Sequence, residues 1–168
     1  MGKFTVRHVF DVDVDKFWDE VFFDPDYNDR LFDEGLGFIY ELVSLERQDD
    51  GTIDRKVRTE PKTDAPAAVK KLVGDKFSYL ETGHFDPKTR KWTYVVTPSA
   101  LPNKISIAGT FWVEPKGDSQ LTRIVETELG VKIFGVGKVI EAFVEKETKD
   151  NYAKAQAFTN KWLKEKAR

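Results

Sequence analysis

The sequence contains no cysteine, only two histidines, and no apolar run long enough to cross a membrane. Without cysteine the chain cannot form disulfides, use a thiol nucleophile or bind metals through thiolates. A membrane-spanning helix needs about 20 consecutive apolar residues, and the longest apolar runs here are far shorter. The first residues lead directly into a strand pattern, without the apolar segment of a signal peptide, so we expect a cytoplasmic protein.

A block of like charge is also missing. The chain carries 27 basic and 29 acidic side chains, interspersed along its length, for a net charge of −2. Nucleic-acid binding usually requires a clustered basic surface, so we expect no nucleic-acid partner. The length of 168 residues predicts a single domain over residues 1–168 with its own hydrophobic core.

The histidines give little support for catalysis or metal binding. Neither His8 nor His84 lies near a serine in a nucleophile-elbow setting, and histidines within strands are more often structural. His84 and Asp86 could supply two metal ligands, but the pattern offers no third or fourth.

Two other patterns resemble known binding loops only in part. Asp11, Asp13 and Asp15 are spaced like the start of a calcium loop, but Lys16 stands where that loop needs glycine. The glycines around Val136 lack the third glycine of a dinucleotide site and are better explained by a strand-to-helix turn. We therefore predict no metal and no cofactor.

Aromatic residues are abundant, at 13% of the chain. Large rings fill a core efficiently, and they also line pockets for apolar or ring-bearing ligands. Composition leaves both uses open.

Residues 136–166 are predicted to form one helix about 45 Å long. Its apolar stripe consists of Val136, Ile140, Phe143, Val144, Ala155, Phe158 and Trp162. Two polar residues, Glu147 and Asn151, interrupt this stripe. They either face a cavity as its polar anchor or lie beyond the edge of the sheet in water.

The rest of the chain predicts seven strands and two short helices after the first strand. The segments with strand patterns are 3–10, 38–47, 52–60, 76–86, 90–97, 104–114 and 120–134. Asp13 or Asp15 is expected to cap the first helix, Asp24-Pro25 to end it, and Asp26 to cap the second. Residues 67–73 are predicted to form either a further short helix or an ordered loop. Short links between strands favour an antiparallel sheet in an α+β fold.

Several strings in this order resemble the START-like, polyketide-cyclase-like (SRPBCC) superfamily, and within it an uncharacterised bacterial branch of unknown function. They are Phe17-Trp18, Asp24-Pro25 with Tyr27, residues 64–69, residues 107–111 and residues 137–141. The resemblance spans nearly the whole chain. It implies a helix-grip fold, in which a curved antiparallel sheet wraps around a long C-terminal helix. It also implies a cavity for lipids, sterols or polyketide-like molecules.

Strand alternation places aromatic residues on one face of the sheet, which suits an apolar ligand held by one or two hydrogen bonds. The candidate cavity residues are Tyr40, Arg55, Tyr79, Glu81, Trp92, Tyr94, Ile107, Gly109, Phe111, Phe143, Glu147 and Asn151. Arg55, Arg123, Glu126 and Glu128 would point inward in one register and into solvent in the other. An inward arginine and glutamate could bind a carboxylate or hydroxyl of a ligand.

We therefore expect the protein to bind a small hydrophobic or amphipathic ligand as a monomer or weak dimer, without membrane insertion. Two alternatives remain open. A cyclase, dehydratase or aromatase would need a positioned acid or base, for which Tyr79, Glu81, Tyr94 and Glu147 are the candidates. An interaction module would instead have a filled core and use an edge strand or the two short helices to bind a partner.

Overall fold

The computed structural model describes residues 2–62 and 64–167. In these residues the chain folds in the order β1, α1, α2, β2, β3, α3, β4, β5, β6, β7 and α4. The strands are β1 (Gly2–Phe10), β2 (Ile39–Arg47), β3 (Ile53–Glu60), β4 (Tyr79–Asp86), β5 (Lys91–Pro98), β6 (Ile105–Lys116) and β7 (Gln120–Val131). The helices are α1 (Val14–Phe17), α2 (Pro25–Arg30), α3 (Ala67–Val73) and α4 (Gly137–Lys166).

All these strands belong to one antiparallel sheet with the order β1-β7-β6-β5-β4-β3-β2. Strands β2 to β7 pair with their neighbours in sequence, through short connections except for the link from β3 to β4, which contains α3. Strand β1 pairs with β7 and forms the opposite edge from β2. The curved sheet and the long last helix confirm the predicted α+β helix-grip fold.

Helix α4 packs against β1, β7 and the segment that follows α2. Its buried residues, Ile140, Ala155, Thr159 and Trp162, lie on the predicted apolar stripe or directly beside it. Its outer face carries exposed ion pairs between Lys146 and Asp150 and between Lys149 and Glu145. The helix therefore has one face against the sheet and one in solvent.

The two short helices after β1 are each extended by a π-helical segment, Trp18–Phe22 after α1 and Leu31–Leu36 after α2. The Asp13 side chain caps α1 by accepting a hydrogen bond from the Asp15 amide. The expectation that Asp26 caps α2 is wrong. Asp24 is the cap, and its carboxylate accepts from the Tyr27 amide at 2.9 Å because Pro25 already occupies the first helical position.

The hydrophobic core has two parts. An aromatic cluster between the two short helices and the sheet is built on contacts such as Trp18–Phe85, with ring centroids 4.6 Å apart. A smaller aliphatic cluster at the start of α4 includes Ile140, Leu129 and Val69 of α3. The short helices and α3 thus cover opposite ends of the concave face.

Candidate ligand-binding cavity

A cavity of about 250 Å³ lies between the concave face of the sheet and α4. Its walls come from the two short helices and their extensions, from strands β3 to β7, and from the middle of α4. Members of both core clusters border it. The aromatic rings line this space without filling it.

Most of the candidate residues from the sequence lie on the wall of this cavity. They are Arg55, Tyr79, Glu81, Trp92, Tyr94, Ile107, Phe111, Phe143, Glu147 and Asn151. Strand pairing brings these residues together, since Glu81 on β4 lies opposite Val96 on β5, and Val96 lies opposite Ile107 on β6. Every second residue of each strand therefore lies on the same face of the sheet.

Two candidates do not line the cavity. The space above Gly109 is occupied by the phenol of Tyr94 from the neighbouring strand, so no ligand can approach the glycine there. Tyr40 lies on the edge strand β2, where its ring stacks on Phe32 with centroids 4.5 Å apart. Its expected place on the cavity wall is therefore taken by Phe38 and Phe32.

The aromatic wall is centred on Phe22, which reaches the cavity from the π-helical segment after α1. Its ring centroid lies 5.2 Å from those of both Trp92 and Phe111. Trp92 lies flat across Gly83 of the adjacent strand, a position that no residue with a side chain would allow. The glycine thus sets the direction of the indole toward the cavity.

Two arginines face the same cavity from strands near opposite edges of the sheet, both on its concave face. Arg55 on β3 and Arg123 on β7 are only 8% and 3% exposed, while Glu126 and Glu128 point to the outer face. Burial lowers the pKa of both guanidinium groups, since a charge is less stable away from water. Arginine nevertheless remains charged in proteins, so the cavity contains two positive charges.

Arg123 is held by groups of the protein. Its Nη2 donates to the Tyr152 carbonyl at 3.1 Å and to Nδ1 of His8 at 3.0 Å. Its guanidinium also lies over the rings of Phe10 and Tyr152, 4.6 and 4.9 Å from their centroids. These contacts tie β7 to β1 and to the middle of α4.

Arg55 has fewer polar contacts. Its guanidinium is packed between aromatic rings, 4.5 Å from the centroid of Phe22 and 4.9 Å from that of Trp92. Its Nη1 donates one long hydrogen bond, of 3.4 Å, to the Phe22 carbonyl. Its Nε has no hydrogen-bond partner within the described residues.

The remaining polar groups near Trp92 are a carboxylate and a phenol. Glu81 accepts a hydrogen bond from Nε1 of Trp92 at 3.3 Å. The Tyr94 hydroxyl is 2.9 Å from Oγ1 of Thr127, and burial raises the pKa of this phenol. Both groups can form a hydrogen bond with a ligand, while the wall around them remains mostly apolar.

At the other end of the cavity, Tyr79 on β4 faces the middle of α4. Burial, followed by the nearby charge of Glu147, raises the pKa of Tyr79 to about 12. Glu147 and Asn151 are both partly buried and line the cavity. They are therefore turned inward rather than lying in water beyond the sheet.

Several cavity residues were not among the candidates from the sequence. These are chiefly Phe22, Tyr27, Thr127 and Tyr152. For Arg123 the sequence left both registers open, and the structure has the inward one, in which Arg123 shares a strand face with the buried Leu121 and Val125. The residues of the short helices could not be found this way, because their approach to the sheet depends on tertiary packing.

Neither histidine lies in a metal-binding arrangement. His84 is half exposed on the outer face, and its Nδ1 is 2.8 Å from Oδ1 of Asp54. In residues 2–62 and 64–167, no three histidine, aspartate or glutamate side chains are grouped closely enough to hold a metal ion. None of the helices in this part of the chain is long and apolar enough to cross a bilayer.

The chain shares its fold with several solved structures. The structure is similar to the Zhui aromatase/cyclase from Streptomyces sp. R1128, with a TM-score of 0.61 and 14% identity over 99% of this chain and 97% of that one. It is also similar to a START superfamily protein from Mycobacterium smegmatis, with a TM-score of 0.57 and 12% identity over 95% and 98% of the two chains. Norcoclaurine synthase from Thalictrum flavum matches with a TM-score of 0.58 and 18% identity, over 98% and 87%.

The chain belongs to the family described as protein of unknown function DUF2505, whose model matches residues 5–163. This confirms the resemblance to an uncharacterised branch that the sequence indicated. No curated protein matches the chain in sequence. Identities this low establish a shared fold, and they leave activity and ligand to be inferred from the site.

Proposed function

We propose that the protein binds a small, mostly apolar, ring-bearing molecule in the cavity between the sheet and α4. The observation that carries this proposal is the unfilled space of about 250 Å³ whose wall is rich in aromatic side chains. Binding sites for small molecules are concave and mostly apolar, with a few polar groups that orient the ligand. Here Arg55, Glu81 and Tyr94 are such groups.

The volume favours a compact ligand. Drug-sized molecules occupy pockets of about 300–1,000 Å³, and this cavity lies just below that range. Since a water molecule takes about 30 Å³ in the liquid, the space equals about eight waters. A molecule of one or two rings therefore suits it better than a whole sterol or a long-chain lipid.

Binding is better supported than catalysis. Proton transfer at neutral pH needs a group whose pKa lies near the operating pH. Burial raises the pKa values of Tyr79, Tyr94 and Tyr152, further away from neutral pH. These phenols therefore stay protonated and serve as hydrogen-bond donors. The alternative of a cyclase-like or dehydratase-like enzyme would depend on Glu81 or Glu147.

The proposal can be tested by calorimetric titration with naphthamide, a neutral two-ring probe. Val144 lines the cavity from α4, whereas Val139 of the same helix is 47% exposed and lies outside it. We expect the wild type and Val139→Phe to bind equally. Val144→Phe should weaken binding by about tenfold or more, equivalent to an overpacking cost of about 1.4 kcal/mol.

Equal affinity of the two phenylalanine variants, or no binding to the wild type, would contradict the proposal. Native mass spectrometry of the protein purified from its own host provides an independent test. A retained small molecule that is released from the wild type and absent from Val144→Phe would also identify the chemical class of the ligand.

A further inference from the structure

The two arginines of the cavity differ in what the protein provides for them. Among the described residues, neither arginine has a hydrogen-bond partner for its Nε. Nη2 of Arg123 nevertheless donates to two acceptors and joins β7 to β1 and α4, so the burial of Arg123 has a structural explanation. Arg55 is almost equally buried, and its one hydrogen bond within the described residues is a long one to the Phe22 carbonyl. A buried charge is costly unless it is paired, so Arg55 calls for a partner outside the protein.

The contacts of Arg55 leave its edge free. A guanidinium has five N–H donors in its plane, and its faces can stack on aromatic rings. The rings of Phe22 and Trp92 cover its faces, but they do not satisfy the donors in the plane. Among the described residues, no carboxylate oxygen lies within the 4.0 Å of an ion pair with Arg55. Its side chain lines the cavity, and because its Nε is itself buried, a ligand would meet the Nη donors.

The carboxylate with the largest influence on Arg55 is that of Glu81, on the adjacent strand. Glu81 is oriented by its hydrogen bond from Trp92 and does not reach the guanidinium. The two groups therefore face the same cavity without neutralising each other. Arg55 offers donors and Glu81 offers an acceptor along one wall.

We propose that the ligand carries a carboxylate that pairs with the free edge of Arg55, with its ring lying against Trp92 and Phe22. This inference rests on the proposed function and specifies its ligand class as a small aromatic or cyclic carboxylic acid. A planar carboxylate matches the guanidinium fork and accepts two parallel hydrogen bonds. A hydroxyl on the same ring could donate to Glu81.

The test compares naphthoate with naphthamide, which have the same rings and differ in charge. We expect the wild type to bind naphthoate more tightly. Arg55→Met should remove about 10- to 100-fold of naphthoate affinity, the usual effect of losing hydrogen bonds to a charged group, with little change for naphthamide. The matched control is Arg58→Met, on the same strand but on the outer face, where Arg58 pairs with Glu41. That variant should keep the wild-type preference.

Glu81→Gln tests the same model in the opposite direction. Removing the negative charge that acts most strongly on Arg55 should strengthen naphthoate binding relative to naphthamide binding. Thermal unfolding of the free protein separates a ligand-binding role from a structural one. If Arg55 serves a ligand, Arg55→Met should unfold at the same temperature as the wild type or higher, because it removes an uncompensated buried charge.

Three results would overturn the inference. Equal affinity of the wild type for the two probes would refute the carboxylate while leaving the proposed function intact. Retention of the naphthoate preference by Arg55→Met would refute the role of Arg55. If neither probe binds the wild type, the proposed function fails and this inference fails with it. Should Arg55→Met not fold, the wild-type preference and its response to Glu81→Gln decide the question.

Discussion

The indole of Trp92 lies directly across the α-carbon of Gly83, so any side chain at position 83 would overlap the ring. This contact fixes three features of the site together. It directs Trp92 into the cavity, places the indole against Arg55, and allows Nε1 to donate to Glu81. Glycine in a strand usually weakens it, and here the close approach of a ring explains its presence.

Gly83→Ala should therefore destabilise the protein and weaken binding of a cavity ligand. The added methyl group must displace Trp92 in a packed core, at a cost of about 1–3 kcal/mol in the free energy of unfolding. Chemical denaturation measures this cost. Gly2→Ala is the control, since the added Cβ would meet only the Leu129 carbonyl at 3.9 Å. Equal stability of the two variants would show that Trp92 is not held by Gly83.

The caps of the short helices give a second prediction. Asp24→Ala should lower the free energy of unfolding by about 1 kcal/mol, because it removes the acceptor for the Tyr27 amide. Asp26→Ala is the matched control, since Asp26 lies within the first turn of α2 and is not its cap. Urea denaturation of both variants checks this. A larger effect at Asp26 would mean that α2 begins two residues later.

A buried hydrogen bond links α2 to α4. Thr159 donates to the Ala155 carbonyl at 2.6 Å, so the Tyr27 hydroxyl must donate to Oγ1 of Thr159 at 2.8 Å. Thr159→Val should cost about 1–3 kcal/mol of stability, because it leaves a buried phenol without an acceptor. The double variant with Tyr27→Phe should recover part of that loss, since it removes the stranded hydroxyl. Additive losses in this cycle would contradict the contact.

The His8–Arg123 contact predicts a pH dependence. Burial, followed by the positive charge of Arg123, lowers the pKa of His8 from its usual value of 6.5. The folded state then binds a proton less readily than the unfolded state. Stability from this source is complete above pH 6.5 and falls as the pH drops toward the lowered pKa.

His8→Gln cannot be protonated, and its side-chain oxygen can still accept from Arg123. Its free energy of unfolding should therefore fall less steeply than that of the wild type as the pH decreases below 6.5. Denaturation at a series of pH values measures both slopes. Parallel curves would show that His8 does not sense the charge of Arg123.

Much of the fold could be predicted because local patterns and the final structure agree. Residues 67–73, for which the sequence allowed a helix or an ordered loop, form a helix, and α4 begins one residue after the predicted position. Strand alternation also placed Tyr79, Trp92 and Phe111 on the face that lines the cavity. These features depend on periodicity, which a sequence displays directly.

Other features depend on what packs against each residue, which alternation does not reveal. An irregularity in the β2–β3 pairing between Leu42 and Ser44 changes the alternation of the edge strand. The missing side chain of Gly109 suggested open space on the sheet, but the ring of Tyr94 from the neighbouring strand fills that space. Alternation puts Arg55 with Ile53 and Val57, yet it does not show that aromatic rings surround the guanidinium.

The position of β1 has a consequence for how the chain folds. Phe10 on β1 pairs with Leu121 on β7, so the first strand of the sheet must find its place beside the last one. Pairings between such distant segments are slow to form, because a long loop must close before the contact stabilises it. Strands β2 to β7 each pair with a neighbour in sequence and can assemble as the ribosome releases them. Strand β1 can pair only after β7 is available, so we expect the β1–β7 pairing to be the last step of folding. It is also the step at which a chaperone would be most useful.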